Sequence, residues 1–156
     1  MSWKSPEKRW RSYLEPSSVS FVSGTLLFTN SGWPGTVLTG VVNNRDEPVV
    51  RLHLLSSNNR FHPHPVIIDT GFNGNLSVPE KLAKRYGWSW IGNESYEIAT
   101  GDVVEQKVFL GEIRWFGHRQ QVYTVASHAD DILMGTRLLR QKRLTINFQT
   151  RKLQIV

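Results

Sequence analysis

Cysteine is absent from the 156 residues, which excludes a disulfide framework, a thiolate metal site and a cysteine nucleophile. A chain without thiols fits a reducing compartment, and a cytoplasmic location is the expectation. Long apolar runs are also missing: each candidate is broken by Ser, Thr, Gly or charge, so no membrane span is predicted. "VSFVSGTLLF" has the length of a signal-peptide core, but Ser23 and Gly24 interrupt it and no small-residue cleavage site follows. Acidic residues are missing between Arg137 and Lys152, where six basic ones stand. The remaining basic residues balance all thirteen acidic ones, so the net charge of +6 belongs to the C-terminal stretch. With no RNA-binding or zinc-finger signature beside it, that stretch reads as a solvated face, and a nucleic-acid partner is not expected.

What is present is a globular composition, with 39% hydrophobic and 11% aromatic residues including six Trp. The length suits one domain. Residues 1–35 are rich in Ser, Thr, Gly and Pro and read as a leader with one short strand at 21–28. Residues 36–156 read as the folded domain. "TVLTGVV" and "PVVRLHLL" form a hairpin across "NNRDE", and "SSNNRFHPHP" is predicted to be a loop held extended by Pro63 and Pro65. Val66 to Ile68 form a short buried strand. "PEKLAKRY" is a helix, with Pro79 in its first turn and Gly87 as its stop. Two strands, "YEIA" and "VVEQKVFLGEIRWF", joined across Thr100, Gly101 and Asp102 follow, then a turn at Gly117 and His118, the strand "RQQVYTVAS", the buried run "DILMG", a helical turn over "TRLLRQK", and a closing hairpin around Gln149 and Thr150. The fold class is all-β, with two short helices.

The segment "VIIDTGFNGNLSVP" places Asp69 directly behind a strand that reads as buried. A charge there must be solvated, paired or neutralised, because burying it alone costs more than a domain's stability. A carboxylate within hydrogen-bond reach of water can take its proton as general base, while a second carboxyl protonates the leaving amine. Two carboxyls in near contact share one proton and so divide into acid and base. Thr70 can hydrogen-bond backbone around the loop, and Gly71 lets the backbone pass close to its neighbour. On the tripeptide alone, an Asx-type turn is the simpler explanation of Asp69.

Three motifs in order make this chain resemble the retropepsin-like (clan AA) aspartic proteases, in their single-domain bacterial form. They are "VIIDTGFNGNLSVP", "IATGDVV" and "DILMGTRLL" followed by "RLTINF". The resemblance implies the acid-protease fold, a closed β-barrel, and an aspartic endopeptidase that needs no metal or other cofactor. It assigns Asp69, Thr70 and Gly71 to the catalytic loop and Ala99, Thr100, Gly101 and Asp102 to a flap over the substrate. It sets Phe72, Asn73, Met134 and Gly135 beside the substrate as well. The sequence has a single Asp-Thr-Gly, so the resemblance implies a homodimer in which each subunit supplies one Asp69 to the dyad that cleaves a peptide or protein substrate. Phe72 departs from the small residue common after Asp-Thr-Gly and is expected to narrow a subsite; Thr136 stands where many relatives have Arg.

The alternative is a catalytically idle peptide-binding or dimerisation module with the same fold, using its basic stretch for an acidic partner. His62 and His64 form an H-x-H with no third ligand in view, so both are expected in solvent. His53, His118 and His128 receive no role.

Overall fold

The computed structural model describes residues 37–97 and 101–156. The leader, with its strand at 21–28, lies outside the described residues. Among them are ten strands in one sheet and one short helix: β1 (Leu38–Val42), β2 (Pro48–Leu55), β3 (Phe61–Ile68), β4 (Leu76–Pro79), α1 (Glu80–Arg85), β5 (Ser89–Glu97), β6 (Val103–Trp115), β7 (His118–Ser127), β8 (Leu133–Met134), β9 (Leu144–Asn147) and β10 (Lys152–Ile155). The strand order is β5-β6-β7-β4-β8-β3-β2-β1-β10-β9, and an additional pairing of β2 with β6 closes six of the strands into a ring. Leu52, Leu54, Val66, Leu76, Ile113 and Met134, all fully buried, come from five of those six strands and fill the core between them.

The turns follow from local chemistry. Asn43 is buried between β1 and β2, and its Oδ1 accepts the N–H groups of Arg45 and Glu47, each at 2.9 Å. β6 and β7 meet through Phe116 and Gly117, both at positive φ (47° and 83°), the two-residue geometry that matches the twist of paired strands. Helix α1 ends where Gly87, at φ 67°, donates to the Lys84 carbonyl, while Glu80 in its first turn pairs with Lys84 and Lys107, each at 2.7 Å. Ala83 and Tyr86 carry its packing into the core.

Three sequence expectations are corrected. The helical turn over 136–142 is a series of turns. Its bonds run from Leu139 to Thr136 and from Lys142 to Leu139, three residues apart, and Gln141 at φ 63° ends any helical continuation. Strand β5 begins at Ser89, seven residues before "YEIA", and a bulge between Trp90 and Gly92 keeps it paired with β6 along that stretch. The segment 61–65 is strand rather than loop. Ile67 and Asp69 donate towards β8, so the odd-numbered N–H groups of β3 point away from β2. Pro63 and Pro65 therefore sit on a side where β8 no longer pairs, and their missing N–H groups cost no ladder bond.

Strand alternation then puts His62 and His64 together on one face, where both are partly buried rather than solvated. His62 Nε2 lies 3.0 Å from Ser56 Oγ and its ring stacks on Tyr86, while His64 Nε2 lies 2.6 Å from the Tyr86 hydroxyl. Burial, and then the nearby His62, His53 and Arg85, hold His64 down to about 4.

Strand β8 lies between β3 and β4, parallel to the first and antiparallel to the second. The chain leaves it through Gly135, where a Cβ would stand 2.2 Å from the Gly74 carbonyl oxygen and 2.6 Å from that of Phe72. Both obstacles are backbone and cannot swing aside. Gly135→Ala should therefore destabilise the fold by about 3 kcal/mol or more. Gly101→Ala, at φ 85° with nothing within 4 Å of the added Cβ, should cost only about 1–2 kcal/mol in backbone strain. Urea unfolding of the two variants checks this, and equal losses would remove Gly135 as the tight joint.

His64 makes stability depend on pH with a definite sign. Its folded value is lowered from 6.5 to about 4, so the unfolded chain binds the extra proton between those values. The contribution is fully present above pH 6.5 and is lost as pH falls towards 4, at most about 3 kcal/mol. Glu80 is held down to about 2 by hydrogen bonds from Lys107 and Lys84, and its own loss begins only below its ordinary value of 4.5. His64→Gln keeps a partner for Tyr86 and should flatten the fall in stability between pH 6.5 and pH 4. Denaturation midpoints across that window measure it, and an unaltered slope would move the effect to other groups.

Candidate active site

The loop between β3 and β4 is held almost entirely by backbone. Asp69 N–H donates to the Met134 carbonyl at 2.9 Å, which continues the β3–β8 pairing one residue past the strand and fixes where the carboxylate begins. Gly135 N–H donates to Asn75 O at 2.9 Å, Thr136 N–H to Phe72 O at 2.8 Å and Arg137 N–H to Gly74 O at 3.1 Å. The loop is thus laced to the chain leaving β8 along its whole length. Phe72 N–H reaches back to Asp69 O at 3.2 Å, and Gly71 N–H donates to Asp69 Oδ1 at 2.9 Å. This is an Asx turn, the geometry anticipated for the bland reading of Asp69, and it also does what a catalytic carboxylate needs. One oxygen is pinned, while Oδ2 accepts no hydrogen bond among the described residues.

Asp69 is partly exposed and borders a cleft of about 590 Å³, together with Thr70, Ser77, Asp131, Leu133 and Phe148. A smaller space of about 260 Å³, between Ser56, Trp88, Glu112 and Arg119, contains none of the loop residues. Of these two spaces, the one at Asp69 is bordered by the carboxylate of the loop. Asp46 and Glu47 also line it, but Arg151 engages Asp46 at 3.1 Å, and Arg45 and Asn43 engage Glu47 at 2.9 Å and 2.6 Å.

Of the residues singled out in the sequence, Asp69 and Thr70 face this cleft. Thr70 is exposed, and its hydroxyl makes no hydrogen bond among the described residues, so backbone contacts hold the loop in its place. The Gly71 N–H is on the carboxylate. Met134 is fully buried beneath the loop, and Gly135 is enclosed by its carbonyls, so neither lines the cleft. Asn73 is exposed. The Phe72 ring lies against Gly74 and Gly135 rather than on the cleft. Gly101 and Asp102 lie at the far end of the β5–β6 hairpin, where Glu97 pairs with Val103; Ala99 and Thr100 lie outside the described residues. Sequence reasoning missed Phe148 and Ser77. It missed Asp131 as well, which stands two residues before Leu133, the partner of Ile67.

Neither a family model nor a curated protein matches the sequence. Solved structures do. A retropepsin-like aspartic protease from Rickettsia conorii matches with a TM-score of 0.56 at 15% identity, over 77% of this chain and 89% of that one. The EIAV protease, solved in complex with the inhibitor HBY-793, matches with a TM-score of 0.50 at 16% identity, over 64% of this chain and 90% of that one. The mostly β architecture, with its short strand threaded beside the Asp69 loop, is the fold of the retropepsin-like aspartic proteases.

Proposed function

We propose that residues 36–156 form an aspartic endopeptidase domain that works as a homodimer, each subunit contributing Asp69 to a shared dyad. The observation that carries this reading is the Asp69 carboxylate itself. It stands at the end of β3, just past buried Val66 and Ile68, with one oxygen held by the Gly71 N–H and the carboxylate bordering a cleft. Water placed between two such carboxyls loses a proton to one as it attacks a peptide carbonyl, and the other protonates the departing amine. Charge stays within the pair, so no covalent intermediate is required. One chain supplies one Asp-Thr-Gly, and a two-fold axis through the loop is the simplest source of the second.

The β5–β6 hairpin supports an extended substrate in this reading. It ends near Gly101, whose positive φ suits a tight turn, and it carries exposed Val103 and Val104 on its outer part. A hairpin of this kind can close over a peptide, pair with its backbone and exclude bulk water.

Digestion of a diverse peptide mixture, followed across pH, tests the activity. Asp69→Ala should lower turnover by about 10²–10⁴-fold or more, as expected for removal of a general base. In the wild type, activity should rise faster than linearly with enzyme concentration below the dimer dissociation constant, which sedimentation equilibrium measures independently. Strict proportionality from a demonstrated monomer would sink the shared site. A folded dimer that cleaves nothing would leave the idle binding module in its place.

A further inference from the structure

Phe72 stands where the resembling family commonly has a small residue, and its placement is unlike that of a subsite side chain. A Cβ on Gly74 would lie 2.3 Å from Phe72 Cζ and 2.7 Å from Cε2, and a Cβ on Gly135 would lie 2.7 Å from Phe72 Cδ1. The ring therefore occupies the room that two missing side chains leave, one in the exit of the Asp69 loop and one on the chain leaving β8. The backbone of Phe72 is committed at both ends. Its N–H closes the turn on Asp69 O at 3.2 Å, and its carbonyl accepts Thr136 N–H at 2.8 Å and Thr136 Oγ1 at 3.4 Å.

We propose that Phe72 is a positioning residue for Asp69: its ring, seated between Gly74 and Gly135, locks the 69–72 turn and with it the bond from Gly71 N–H to the carboxylate. The ring acts through the backbone and does not touch substrate. Packing supplies the reason. A partly buried aromatic ring contributes many dispersion contacts at a cost of only two side-chain torsions, so it stiffens a loop that otherwise depends on hydrogen bonds open to competition from water. A small residue at this position would leave a gap between the glycines and let the turn relax. Gly74 and Phe72 are in this sense one device.

The effect on turnover rests on the protease reading above, whereas the effect on the turn does not, and the experiment separates them. Phe72→Ala, Phe72→Leu, Gly74→Ala and the Phe72→Ala/Gly74→Ala double variant are compared with wild type. Gly74→Ala is the informative partner: its Cβ meets the far end of the ring, so the ring is evicted while the backbone has no need to move. The first readout is the Gly71 amide proton shift and its response to acidification, which report the bond to Asp69 Oδ1 in any folded sample. Phe72→Ala and Gly74→Ala should both move that shift towards a solvent-exposed value. Phe72→Leu should restore most of it, and the double variant should look no worse than either single one. The second readout is peptide cleavage. A misplaced carboxylate should lower kcat by about 10- to 100-fold with KM and the ranking of peptides unchanged. An unchanged Gly71 amide in Phe72→Ala and Gly74→Ala overturns the proposal, and so does a changed peptide ranking at undiminished kcat, which would put the ring on the substrate. If the wild type cleaves no peptide, the protease reading falls and the amide comparison still decides the role of Phe72.

Discussion

Strand β8 has only two residues, yet its insertion between β3 and β4 governs the rest of the molecule. A strand so short cannot hold its place by its own ladder. It is held because Ile67 donates to Ile132, just before it, and Asp69 to Met134 within it, and because Gly135 lets the chain leave through a gap bounded by two carbonyls. This solves the problem of an aspartate behind a buried strand. The backbone of Asp69 belongs to the sheet and is as fixed as any core residue, while its carboxylate emerges at the rim, where water still solvates it. Neither full burial, with its desolvation cost, nor a free loop, with its lost precision, is accepted.

The fold was legible in the sequence wherever its signals were local. Val66 to Ile68, helix α1 with Gly87, and the turns at Asn43, at Gly117 and around Gln149 and Thr150 all follow from residue types within a few positions of one another. Elements whose form depends on a distant neighbour were not legible. Pro63 and Pro65 signal a loop until it is known which side of β3 meets β2. The stretch 136–142 looks helical until Gln141 takes a positive φ and the loop carbonyls claim the N–H groups of Thr136 and Arg137. At the site, Asp69 and Gly71 were readable because their partners are adjacent. The seat of the Phe72 ring was not, since half of it is Gly135, sixty-three residues further on.

The histidine face shows that the chemistry of the site and the stability of its support need not favour the same conditions. The carboxyl pair proposed above would share a proton and be served by mild acid. Burial and nearby positive groups lower the values of His64 on β3 and His53 on β2, so each proton added to either works against the packing. The support therefore sets an acid boundary independent of anything in the cleft.

Pro63 and Pro65 have a further consequence for β3. They occupy the same-side positions as Ile67 and Asp69, the two residues that donate to Ile132 and Met134 on the β8 side. Were β8 to slide two residues back along β3, Pro65 would fall where a donor is required, and a slide of four would bring Pro63 there as well. Alignments reached by sliding in this direction lose a bond at every step, whereas the native one loses none. The prolines therefore disfavour slides in this direction and favour the alignment that brings Gly135, at the head of the chain leaving β8, against the Asp69 loop.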